Sequence, residues 1–434
     1  MKTNKVFSGW AVFLALVAVM FIGFTACDTG NGTKETLLKP AVSQYDIAGD
    51  MTQEAGVTIT PITVTVKQDM VDAGTASSGA VTVWYTGTSG TTYTKSQTVP
   101  QTAGTYAVTF DVTAASGWNA ANGLDAGTLT IFALQVVNGG FEDGLNGWVG
   151  EENDNISIDT TVFHTGQKSL KITDAKWQTD VNQVISVTPN TPYLVSFWGK
   201  VNRDDDGGWG CIVKIIANDK DSGPTLSAVE NTIKDSDWAP YKVAFNSGTA
   251  KNIVLYIGGG DSEFYVDDLR IDRIVIDTTA NLVENGDFET GALEPWGGGY
   301  DGDGRFAVVD EDKHAGTYSL KVDNTDYWSC AQTIPVTANT DYILCFWTKI
   351  VADDPDTSWD TLIKVGPDQD SPDEDLLVKA QPKSDYKVTE SGVWTQVLYT
   401  LNTGDLTELV VNLSGSYNCF YYVDDVVLVP LVCK

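Results

Sequence analysis

The sequence predicts an all-β protein of three sandwich domains, and three observations carry that prediction. Its 434 residues suit about three domains. Forty-one glycines accompany 13 Trp, 17 Tyr and 15 Phe, a composition of short strands and tight turns. Apolar and polar residues alternate over short stretches bounded by Gly-, Asn- and Asp-rich turns, with almost no helical period.

The formal charge is −31, from 27 Lys+Arg against 58 Asp+Glu. Phosphate binding needs basic stripes that release counterions, so no nucleic acid is expected as a partner. Docking on anionic lipid by charge is excluded on the same ground. With only two histidines, His-rich metal sites and most His-based catalysis are out of reach.

In chain order, the first element is an address. Lys2 and Lys5 precede an apolar run from Val6 to Phe24, which closes on Thr25-Ala26-Cys27. A basic start, an apolar core and a small-residue end describe an export signal over 1–26. Cys27 after Thr-Ala resembles the lipobox of bacterial lipoproteins, which implies that Cys27 is lipidated. The run is also about long enough for an uncleaved membrane anchor. Residues 27–40, with the polar DTGNGTKE, read as a tether. Residues 41–134 hold TITPITVTVKQ, AVTVWYTG, GTYAVTFDVTA and AGTLTIFAL between Gly/Ser/Thr turns. They read as an Ig-like β domain, similar to the small β-repeat stalks of bacterial surface lipoproteins.

The remainder is a duplication. NGGFEDGLNGW at 138–148 returns as NGDFETGALEPW at 285–296, and HTGQKSLK at 164–171 as HAGTYSLK at 314–321. QVISVTPNTPYLVSFWGK at 183–200 returns as QTIPVTANTDYILCFWTK at 332–349, and YVDD at 265–268 as YVDD at 422–425. One order at one spacing of about 150 residues defines two modules, 136–276 and 281–432. His164 and His314 take the same repeat position and cannot be halves of one catalytic pair. A turn whose imidazole bonds loop backbone is the expected role, with ligand contact as the alternative. Tyr193, Val195, Phe197 and Gly199 share one strand face, and Leu194, Ser196, Trp198 and Lys200 the other. The second copy sets Tyr342, Leu344 and Phe346 against Ile343, Cys345, Trp347 and Lys349. One face suits a core; the other mixes Trp with Lys.

The N-G-x-F-E opening with a nearby Trp, H-x-G-x-x-S-L, Q-x-I-x-V before Y-x-x-x-F-W, and Y-V-D-D occur in one order, twice. Together they resemble carbohydrate-binding modules of the family 4, 9 and 22 group, over both modules. The resemblance implies a jelly-roll β-sandwich with a glycan on its concave face or loop edge, and a structural Ca²⁺ site in each module. The implied ligand pairs are Glu142 with Asp267 and Glu289 with Asp424. First and last strands of a jelly roll can be neighbours, and two close carboxylates need a hard cation or a proton between them. Asp268 and Asp425, on the opposite face of a regular strand, are second choices. Solvated carboxylates at strand ends are the plain alternative.

Sugar recognition needs flat aromatic rings and a few polar groups. Trp209 and Trp359 sit in the acidic loops DDDGGWG and DDPDTSWD, and Trp177 and Trp328 precede the Gln183 and Gln332 strands. With Trp198 and Trp347 they form the carbohydrate-binding candidates, each with packing as the bland alternative. Trp148 and Trp296 are expected to plug the opening loops. Lys200, Lys349, Gln183 and Gln332 suit either sugar hydroxyls or a solvated sheet face. Five cysteines follow Cys27, an odd number without any C-x-x-C, and no disulfide is assigned.

No E-x-D-x-x-E, G-x-S-x-G, P-loop or H-E-x-x-H occurs. The sequence therefore reads as a non-catalytic, lipid-anchored protein of the bacterial cell envelope, on its outer surface. Its two calcium-stabilised modules are expected to bind polysaccharide of β-glucan or xylan type. A structural or adhesive surface lipoprotein contacting protein, and a cryptic glycoside hydrolase, are the alternatives.

Overall fold

The computed structural model describes residues 36–150, 152–173, 180–202, 212–219, 221–230, 236–258, 263–297, 305–323, 329–352, 362–367, 392–414 and 419–434. The chain is all-β with two tandem sandwiches, as the alternation requires. Among the described residues, no helix is long and apolar enough to cross a membrane.

The N-terminal domain has strands β1 (Tyr45–Ala48), β2 (Thr52–Glu54), β3 (Thr63–Val66), β4 (Val81–Thr88), β5 (Gly104–Val112) and β6 (Ala121–Phe132). β1 pairs with β3, and the second sheet runs β2-β6-β5-β4. Alternate residues of β5 (Tyr106, Val108, Phe110 and Val112) are fully buried, which is the period of two that makes a half-buried strand.

The first module comprises β7 (Ile156–Asp159), β8 (Ser169–Ile172), β9 (Asp180–Ser186), β10 (Pro192–Asn202), β11 (Ile212–Ala217), β12 (Thr225–Glu230), β13 (Ala239–Asn246), β14 (Asn252–Gly258) and β15 (Glu263–Arg273). A long sheet, β13-β10-β15-β8-β7, faces a short sheet, β12-β11-β14-β9. The second module comprises β16 (Phe306–Val309), β17 (Ser319–Asp323), β18 (Ser329–Pro335), β19 (Asp341–Ala352), β20 (Leu362–Gly366), β21 (Thr395–Asn402), β22 (Glu408–Ser414) and β23 (Cys419–Pro430). Its long sheet, β21-β19-β23-β17-β16, and short sheet, β18-β22-β20, repeat the same order. Tyr193, Val195 and Phe197 enter the first core, and Tyr342, Leu344 and Phe346 the second, as the alternation predicts.

The opposite faces of the long sheets meet. Leu194, Ala244 and Ile274 of the first module form one buried cluster with Ile343, Cys345, Leu398, Val427 and Val429 of the second. Lys242 pairs with Asp341 across this seam, and Asn246 Nδ2 donates to Gln396 Oε1 at 2.6 Å. The main chains of Arg273 and Lys434 bond reciprocally at 3.1 and 2.9 Å. The N-terminal domain is joined through one carboxylate. Glu54, only 3% exposed, accepts from Tyr193 Oη at 2.6 Å and Thr188 Oγ1 at 2.9 Å, with Arg273 Nη1 at 3.8 Å. Burial, with Glu54 beside it, pushes the Tyr193 phenol well above its ordinary range.

Candidate functional site

Each module carries a loop clasp on its long sheet, and the first also carries a polar row on its short one. The clasp starts from a β-bulge. β10 and β15 slip register between Ser196 and Trp198, and β19 and β23 between Cys345 and Trp347. Asp268 and Asp425 absorb the extra residue at φ 52° and 51°, a left-handed conformation that Asp tolerates. The expectation that these two acids point away from Asp267 and Asp424 assumed a regular strand; the bulge turns both acids of each pair onto the same loop.

The loop is H-x-G. Asp267 Oδ2 accepts from the backbone N–H of His164 at 2.8 Å and Thr165 at 3.2 Å, and Asp424 Oδ2 from His314 at 2.9 Å and Ala315 at 3.2 Å. The imidazoles bond carboxylates and not loop backbone, which corrects their expected role. His164 Nδ1 lies 2.6 Å from Asp268 Oδ2, and His314 Nδ1 2.7 Å from Asp425 Oδ2. Glu142 Oε1 accepts from Gln167 N at 2.6 Å and Lys168 N at 2.9 Å, and Glu289 Oε1 from Thr317 N at 2.7 Å and Tyr318 N at 2.8 Å. Gly166 and Gly316 are required here. At φ +67° and +59°, a Cβ would lie 2.1 and 2.3 Å from those Glu oxygens.

The opening N-G-x-F-E is a turn and not the strand assumed from the sequence. Asn138 and Phe141, and Asn285 and Phe288, have positive φ. Asn138 Nδ2 holds that turn by donating to the carbonyls of Gly144 and Asn146, and burial fixes the Phe. Trp148 and Trp296 plug it as expected, each indole N–H donating to the preceding Asn carbonyl at 3.2 and 3.1 Å.

Glu142 with Asp267, and Glu289 with Asp424, thus converge on one loop in each module. Burial outweighs the N–H donors and raises the Asp267 carboxyl; the same cause, with Asp425 nearby, takes Asp424 up to about 6. A hard cation suits such a donor set. Among the described residues no three or more His, Cys, Asp or Glu side chains are placed to hold one metal ion together, so further ligands would be backbone carbonyls.

Trp198 and Trp347 stand on the non-core face of their strands but are not bare. Each is half-buried with His164 or His314 stacked on it, centroids 3.8 and 3.7 Å apart at 13° and 10°. Trp238 and Trp394 approach the same imidazoles edge-on at 5.8 and 6.0 Å. Trp177, Trp209, Trp328 and Trp359 lie outside the described residues, as does Cys27. Gln183 and Gln332 are structural: Gln183 bonds both main-chain groups of Val137 and Gln332 those of Glu284. Lys349 pairs with Asp312 at 2.6 Å. Cys330, Cys345 and Cys433 are free thiols, and burial pushes Cys330 and Cys345 up to about 12.

The polar row lies on the outer face of the short sheet. Asn182, Tyr256 and Lys214 stand side by side on β9, β14 and β11. Their neighbours Val181, Leu255, Ile257, Val213 and Ile215 fill the core, so the row faces away from it. Tyr256 and Lys214 are half-buried. Sequence reading missed Tyr256, although Ile253, Leu255 and Ile257 alternate inward and leave it outward. In the second module the aligned positions are Ala331, Asn412 and Lys364. Asn412 is 4% exposed, and its buried Oδ1 has no hydrogen-bond partner among the described residues.

Comparison with known proteins gives this architecture a family. The carbohydrate binding domain family matches residues 134–263 and again 280–417. Endo-1,4-beta-xylanase A of Thermoanaerobacterium saccharolyticum is 24% identical over 207 residues, 43% of this chain but 17% of the xylanase. The chain therefore spans under a fifth of that relative's length. Among solved structures, the N-terminal tandem CBM22-1–CBM22-2 domain of Paenibacillus barcinonensis Xyn10C is 16% identical. It covers 68% of this chain and 97% of its own, at a TM-score of 0.27. A family 16 carbohydrate binding module is 24% identical, covering 31% and 97%, with a TM-score of 0.26. The two family matches take in more than half of the chain and fall on its two duplicated sandwiches, so the protein belongs to the carbohydrate binding domain family.

Proposed function

We propose that the protein binds polysaccharide without cleaving it, through the outer face of each short sheet. The observation that carries this reading is the row Asn182–Tyr256–Lys214, where an aromatic ring stands between an amide and an ammonium. Such a row matches a sugar, whose C–H face stacks on a ring while its hydroxyls take hydrogen bonds. A β-linked glycan of xylan or β-glucan type is the first ligand to test, since the matched relative is an endo-1,4-beta-xylanase. Calcium would be held by Glu142 and Asp267 in one module and by Glu289 and Asp424 in the other. When bound, it supplies countercharge for a carboxylate that burial otherwise penalises. Lipidation at Cys27, an Ig-like stalk and an outer-surface location complete the proposal, and would concentrate glycan at the cell.

Affinity electrophoresis in gels containing soluble xylan or β-glucan tests it. The full chain should be retarded in at least one gel, and Tyr256→Ala should weaken retention by the first module about tenfold, or about 1.4 kcal/mol. Unretarded migration in every glycan gel overturns the reading.

A further inference from the structure

We infer that the protein bridges two separate glycan chains and does not hold one chain at both modules; the inference rests on the glycan reading above. Two tandem modules are usually read as avidity, in which one polymer engages both sites. The packing of this pair opposes that. The outer faces of the two long sheets meet over part of their area in a common buried cluster, with Leu194 and Ala244 on one side and Ile343, Leu398, Val427 and Val429 on the other, while Arg270 of the first stays exposed. Each short sheet lies across its own core from its long sheet. The order through the pair is therefore short sheet, core, long sheet, seam, long sheet, core, short sheet. The outer faces of the two short sheets point in opposite directions. Packed sheets stand about 10 Å apart, so three such gaps separate these faces by roughly 30 Å through the body of the protein.

The seam is fixed in place. Ala244 leaves room for β13 to lie against β21; Asn246 with Gln396 ties those two strands, and Lys242 with Asp341 ties β13 to β19. The reciprocal main-chain bonds of Arg273 and Lys434 hold the linker end of β15 to the chain beyond β23. A polysaccharide laid on Tyr256 would have to wrap round four sheet layers to reach Asn412. Two neighbouring chains need only meet one face each. The second module's aligned face offers its own ligand signal, the buried Asn412 Oδ1, an acceptor without a partner among the described residues.

A sandwich experiment decides this. Beads bearing sparse covalently coupled xylan are loaded with the full chain, washed, and offered fluorescent soluble xylan. Bridging predicts that bead-bound protein captures labelled xylan in proportion to the protein loaded. Tyr256→Ala and Asn412→Ala should each stay on the beads through the other face but lose capture of the second chain. Saturated beads that capture no labelled xylan overturn bridging while leaving glycan binding in place. Undiminished capture by both variants also overturns it, since the second chain would then be held elsewhere. Protein that never stays on the beads removes the glycan reading, and bridging with it.

Discussion

In the first module the outer face of the long sheet carries Ser196, Lys242, Arg270 and Asp272; the matching positions of the second are Cys345, Leu398, Val427 and Val429. The polar version leaves a cavity of about 600 Å³ beside the His164–Trp198 stack, lined by Ser196, Pro240, Lys242 and Arg270. The apolar version is buried in the seam. The clasps a few residues away differ by no more than about 0.1 Å in their stacking distances. Outward strand positions do not take part in closing the sandwich, so their chemistry was free to change. The clasp depends on a bulge, a glycine and three acids together, so none of these could change alone.

The sharpest way to break this comparison is to exchange one pair of matching residues. Val427→Arg places a charge in an apolar seam and should cost about 3–5 kcal/mol in urea denaturation. Arg270→Val removes a side chain that is 70% exposed and should cost less than about 1 kcal/mol, despite its bonds to Ser196 and Asp272. Equal effects would show that the two faces do not differ as described.

A middle-sized effect tests whether the clasps are equivalent. Gly166→Ala and Gly316→Ala each force a left-handed alanine and displace a Glu from its two N–H donors. Each should destabilise by about 1–3 kcal/mol in calorimetry, and the two should agree within about 0.5 kcal/mol. A larger gap would mean that one module relies on its clasp less than the other.

The last test concerns pH. With calcium chelated by EDTA, Asp424 titrates in the fold at about 6, against 3.8 when unfolded. Its protonated form is favoured in the fold, so its contribution to stability is complete below 3.8 and lost as pH rises through about 6. Urea midpoints across that window should fall with rising pH in the wild type, and the slope should flatten in Asp424→Asn. Added calcium should lift the midpoints above the window; no response to calcium would remove the proposed metal.

Much of the fold was legible because period-two alternation and duplication are written in single residues. Tyr193, Val195 and Phe197 announce a core face, and Trp148 and Trp296 a plug. The clasp was half legible. Glu142 and Asp267 could be paired, though they meet on the H-x-G loop and not through adjacent strands, and a bulge depends on the register of two distant strands, which no local pattern encodes. The His164–Trp198 stack follows from that bulge and was invisible for the same reason. The seam was hidden too: nothing local in Val427 and Val429 tells that the outer face of their sheet is covered by another module.

Glu54 and the backbone of Lys434 both close on the end of β15 at Arg273. Both attachments thus lie beside the seam, whose buried cluster begins at the next residue, Ile274. One residue therefore couples the docking of the N-terminal domain to the fastening of the second module's last strand.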